Sequence, residues 1–111
     1  MREETARARA AYVEAPVDSE ARQEAWRRWE DLSFQEVEEA ATPAEARAAY
    51  KEAPDYSRSE TAAFDKWRKL SLQKVVEAKT LAELQEAHDE APVDGEAQQM
   101  AIQKMAKLRA E

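Results

Sequence analysis

Few residues in this sequence have types and spacings that could do chemistry. There is one histidine, His88, no cysteine, and a single glycine, Gly95, among 111 residues. A cysteine–histidine pair is therefore impossible, and a serine–histidine–acid triad would have to run through His88. A phosphate-cradling loop or a dinucleotide fingerprint needs several glycines. A helical di-iron site needs Glu-x-x-His, and position 85, three before His88, is Gln. Asp94-Gly95 lacks the flanking acids of a calcium loop. His88 stands where Tyr12 and Tyr50 stand in two related segments, on the apolar stripe of a helix, so it is expected to pack at a helix–helix contact. These observations point to a protein that is not an enzyme, with no metal and no cofactor.

Two charged columns and one aromatic column are the remaining candidates. Glu14, Glu52 and Glu90 recur at one position, in the last turn of a helix, where a carboxylate opposes the helix dipole by a few tenths of a kcal/mol. Arg28, Lys66 and Lys104 recur on the flank of another helix. The two columns are expected to pair within or between segments, with the basic column lining a partner-binding groove as the sharper alternative. Trp26 with Trp29, and Phe64 with Trp67, could form a binding platform, but their spacing matches a core-facing stripe. Nucleic-acid binding by such aromatics needs a basic surround. The formal charge is −7, which disfavours that partner.

The elements that must position these residues follow from an internal repeat. Tyr12-Val-Glu-Ala-Pro16, Tyr50-Lys-Glu-Ala-Pro54 and His88-Asp-Glu-Ala-Pro92 are spaced by 38 residues with no insertion. The copies divide as 4–41, 42–79 and 80–111 within a single domain. The first helix of copy two starts at the Thr42 cap with Pro43 and Glu45 behind it, and Pro54 ends it. A second helix, roughly 58–70, carries the heavy apolar stripe from a Ser57/Glu60 cap; the matching caps are Asp18 or Ser19, and Asp94. The expected core is Trp26, Trp29, Phe64, Trp67, Ile102 and Met105, joined by Tyr12, Tyr50, His88, Leu32, Leu70 and Leu108. Ser33 and Ser71 resemble N-caps, each between two hydrophobic-staple positions. They predict a third short helix, about 72–78 in copy two, in preference to one long bent helix. Copy three stops before that helix, giving A-B-C-A-B-C-A-B, about eight short helices.

A unit of this size cannot bury its own stripe, so copies must stack. With its period of 38 and three-helix unit, the chain resembles the α-solenoid tandem-repeat class, in the armadillo, HEAT and tetratricopeptide style, and no particular family within it. The resemblance covers the whole chain and implies an all-α, right-handed array with an exposed curved surface used for binding.

Function is therefore expected to be protein–protein interaction or scaffolding. An acidic inhibitor or antitoxin-like protein, mimicking nucleic acid and binding a basic partner, is the alternative. It rests on residues 31–60, which carry eight acids against three bases. Copy three, with Met100, Ile102 or Met105 exposed at its end, suggests self-association. The charged start Met1-Arg2-Glu3-Glu4, with no apolar run behind it, is not a secretory signal. No stretch is apolar enough for a membrane span, so a cytoplasmic location is the expectation.

Overall fold

The computed structural model describes residues 2–111, which form six α-helices and, among the described residues, no strand. They are α1 (Glu3–Glu14), α2 (Glu20–Glu39), α3 (Pro43–Glu52), α4 (Arg58–Glu77), α5 (Leu81–Glu90) and α6 (Glu96–Ala110). Each 38-residue copy is thus a short helix followed by a long one. Among the described residues no helix is long and apolar enough to cross a membrane.

Local chemistry sets the boundaries. Thr42 accepts the Glu45 N–H at 3.1 Å, and Thr80 accepts the Glu83 N–H at 3.1 Å. Both hydroxyls also donate back to their glutamate, which satisfies first-turn donors that a helix cannot satisfy itself. Ala15, Ala53 and Ala91, each before a proline, are extended and end the short helices. The loops that follow turn through a left-handed residue in every copy: Asp18, Tyr56 and Asp94, with φ of 64°, 60° and 58°. The long helices then start at Ser19, Ser57 and Gly95. Asp94 is therefore not the cap expected from the sequence. Its left-handed backbone moves the helix start on by one residue, and Gly95 offers no side chain to cap with.

The expected third helices do not exist: α2 and α4 run unbroken through Ser33 and Ser71, so there are six helices where eight were expected. Each serine keeps helical backbone and lies buried in the packing seam, its hydroxyl without a hydrogen-bond partner. The wide apolar arc that argued for a break is the surface a long helix needs here, because α4 touches α2, α3, α5 and α6. A buried hydroxyl with no partner is a net cost, and alanine is the better helix former. Ser71→Ala should therefore stabilise the protein by about 1 kcal/mol, read as a higher midpoint in urea with an unchanged slope.

Packing proceeds along one direction. The pairs α1–α2, α3–α4 and α5–α6 pack within copies, and α2–α4 and α4–α6 between them. The chain extends 62 × 21 × 17 Å with a radius of gyration of 17.4 Å, against about 13 Å for a compact chain of this length. The core is accordingly a string of small clusters. Val37, Ala49 and Ala63 form one, Ala40, Ala46 and Trp67 another, and Val75, Leu84, Ala87, Ala101 and Met105 lead the third.

Candidate functional site

The residues shared by the copies are spent largely on the junctions. Trp29 Nε1 donates to the Glu52 carbonyl at 3.1 Å, and Trp67 Nε1 to the Glu90 carbonyl at 2.6 Å. Each indole thus reaches the last turn of the next copy's short helix. Lys66 Nζ donates to the carbonyls of Val37 and Glu38, both at 2.7 Å. Lys104 Nζ does the same for Val75, Val76 and Ala78 at 2.9–3.2 Å. An ammonium at the exposed carbonyls of a helix C-terminus satisfies orphan acceptors and complements the dipole.

The pairing expected between the glutamate and lysine columns is not what the geometry gives. Lys66 and Lys104 are engaged with carbonyls, and Arg28 lies exposed with no hydrogen bond or ion pair among the described residues. Glu90 pairs with Lys74, whose Nζ lies 3.0 Å away. Glu52 lies on the wall of a cleft of about 320 Å³ with Arg2, Glu36, Glu39 and Glu45. Glu14 is exposed at the end of α1. The reason is geometric: a lysine one helix away from an open C-terminus finds several carbonyl oxygens together, whereas the glutamate side chains lie elsewhere around the junction.

Burial opposes charge on Lys74, but hydrogen bonds to Glu90 and Glu86 outweigh it and hold its ammonium above the ordinary lysine pKa. A group with a raised folded-state pKa stabilises fully below its unfolded value of 10.5, and that contribution disappears as pH climbs through the folded value. Both partners are partly exposed, which limits the effect to about 1 kcal/mol or less. Lys74→Met should therefore lower stability at neutral pH and flatten the alkaline decline above the unfolded value of 10.5, measured by thermal melts from about pH 9 to about pH 12.

The expected core residues divide. Trp29, Trp67 and Met105 are buried. Trp26, Tyr12, Tyr50, His88, Leu32, Leu70 and Leu108 are half-buried. Phe64 and Ile102 are exposed, at 40% and 53%, and so are not core. They stand at matching positions early in α4 and α6, on the side where helical spacing turns away from the neighbouring copy. His88 is half-buried, with Nδ1 3.0 Å from Asp89 Oδ1. That contact, with a second from Gln85, holds the Asp89 carboxyl below the usual carboxylate range. Among the described residues no three His, Asp or Glu side chains are placed to share a metal ion.

No protein family was found to match this chain, nor did any curated protein or solved structure.

What the sequence pattern missed is a row of exposed apolar side chains at the loops between short and long helices: Val17 at 75%, Tyr56 at 99% and Val93 at 81%. Phe64 and Ile102 lie about two turns into the helices that those loops start. Copy one adds a shallow cleft of about 400 Å³ beside its loop, walled by Tyr12, Val17 and Trp26. Each loop carries one such residue, on neighbouring positions rather than one strict column, so alignment by period alone passes over them.

Proposed function

We propose that this chain is a small non-enzymatic binding module. In this reading it is a right-handed α-solenoid-like array of three copies whose loop edge engages another protein. Several features support it. The indole and lysine bonds repeat across both junctions with the same partners' positions, and the molecule is long and thin. Where α4 has Arg58 and Ala62, which meet copy one, copy one itself has Glu20 and Glu24. Of the copy-three residues expected at an exposed end, Met105 is buried, Met100 half-buried and Ile102 exposed. Val17, Tyr56, Val93, Phe64 and Ile102 make the lateral edge a place where exposed apolar side chains recur.

The observation that carries the reading is Tyr56. It is 99% exposed and holds φ of 60°. Such backbone is costly for a bulky residue and is tolerated well by aspartate. The other two copies put Asp18 and Asp94 there. An aromatic side chain in a strained, fully exposed position buries nothing in the fold, which points to contact with a partner. Tyr56→Asp should stabilise the protein by about 0.5–1 kcal/mol while abolishing binding. Panning a random peptide library against the protein, then transferring enriched binders to Tyr56→Asp, checks both halves. Failure to enrich binders beyond an unrelated helical protein, or equal retention by the variant, would overturn the reading.

The second reading, an acidic inhibitor or antitoxin-like protein, draws on the cleft lined by Glu36, Glu39, Glu45 and Glu52. Arg2 is already applied to it, through its backbone N–H to Glu36 at 2.9 Å and its guanidinium to Glu39. The edge explains more of the surface.

A further inference from the structure

Copy one differs from the others along this edge in charge. Its cleft, about 400 Å³, is walled by Tyr12, Val17 and Trp26 and rimmed by Arg22 and Arg27, with Asp18 the one acid lining it. The matching rim positions are Glu60 and Asp65 in copy two, and Gln98 and Gln103 in copy three. The Arg22 guanidinium lies over the Tyr12 ring, 4.4 Å from its centroid, and its one hydrogen bond, to the Ala15 carbonyl, is long at 3.4 Å. Neither Arg22 nor Arg27 forms an ion pair among the described residues, although the chain carries seven more negative than positive charges. Two arginines without an ion pair among the described residues thus stand beside an apolar hollow in a chain of net negative charge. A stacked guanidinium is also pre-organised, with its planar N–H fork directed for carboxylate.

We propose that this cleft binds an acidic peptide segment of a partner protein, seating one large apolar side chain between Tyr12, Val17 and Trp26 while neighbouring carboxylates engage Arg22 and Arg27. This deepens the reading of the chain as a binding module and rests on it. The hollow has room for one aromatic or branched aliphatic side chain, and the surrounding acids of this protein repel the same peptide from other surfaces. Association should accordingly be selective for the cleft and weaken with added salt.

The test uses a fluorescein-labelled peptide of about 12 residues, rich in Glu and Asp around a central Leu-Phe pair, followed by anisotropy. One control peptide replaces the acids by Lys, and another replaces Leu-Phe by Ser-Ser. The proposal expects saturable binding of the acidic apolar peptide alone. It expects a loss of roughly tenfold or more in the double variant Arg22→Gln/Arg27→Gln, and a comparable loss in Trp26→Ser. Glutamine is what copy three carries at both rim positions, so the double variant is expected to fold, and its helical circular dichroism and melting point verify that. No saturable binding of the acidic peptide, or equal affinity in the double variant, would overturn the cleft assignment. Binding that survives the double variant but fails in Tyr56→Asp rejects the cleft while retaining the module. Failure of the peptide library to enrich any binder removes the module itself.

Discussion

Trp67→Ala should be among the most destabilising single substitutions in this protein, by about 3–5 kcal/mol. The indole is 8% exposed, closes the cluster with Ala40 and Ala46, and touches the rings of Tyr50 and Phe64. It also donates to the Glu90 carbonyl across the junction to copy three. Truncation leaves a cavity in a core made of alanines, which are too small to collapse into it. Trp67→Phe separates the two contributions. It keeps most of the buried area and loses the hydrogen bond, so a cost of about 1–2 kcal/mol is expected. Stacked copies contact only their neighbours, so damage at one junction should act locally. Native-state hydrogen exchange of Trp67→Ala should show α5 and α6 losing protection ahead of α1 and α2. A uniform loss along the chain would instead indicate one undivided core.

The sequence carried the helices well because their ends are built from local chemistry. Threonine and serine caps, the prolines after each short helix, and the 38-residue period fix where most elements start and stop. Ser33 and Ser71 misled for the opposite reason. A serine flanked by staple-like residues reads as a cap only if the backbone there can leave the helix, and that depends on neighbours distant in sequence. Helix α4 is contacted on several sides, so its broad apolar arc is satisfied without a break. Periodicity on one helix does not reveal how many partners that helix has.

The same limit applies to the surface. Phe64 and Trp67 share a stripe, yet Trp67 is buried and Phe64 is 40% exposed. Three positions on a helix are about 60° apart around the axis, enough to separate a junction from an edge. The basic column was legible as a column, and its purpose was not, because backbone carbonyls carry no sequence signature. Lys66 and Lys104 serve helix ends 26–29 residues earlier in the chain. Differences among copies proved to be of two kinds. Arg22 and Arg27 alter a surface, whereas Glu30 holds a junction together, and alignment alone shows neither.

Glu30→Ala should cost about 2–4 kcal/mol, a fall in melting temperature of roughly 8–16 °C for a chain of this size. Its counterparts are Arg68 and Ala106, so nothing in the repeat marks it. In the fold it is 7% exposed and lies at the N-terminus of α4. Its carboxylate accepts the Ser59 N–H at 3.2 Å, the Ser59 hydroxyl at 3.0 Å and Arg58 Nε at 3.2 Å. Ser57 already caps the Glu60 N–H, so Glu30 supplies from the preceding copy the acceptor that Ser59 still needs. A negative charge there also complements the helix dipole. Alanine would leave the buried Ser59 N–H without a partner; the Ser59 hydroxyl keeps Ser57 Oγ at 3.0 Å. Glu30→Gln keeps one acceptor oxygen for the Ser59 N–H, loses the charge, and turns the other oxygen into an NH2 that can donate to the Ser59 hydroxyl, so it should cost about 1 kcal/mol. The pair of variants distinguishes capping from charge: equal losses would place the effect in the charge, and a small loss for both would mean that water replaces the carboxylate. Because the carboxylate is shielded from solvent, the difference between the variants should persist at high salt. An exposed pair such as Asp65–Lys69, with 46% and 68% side-chain exposure, should lose its contribution there.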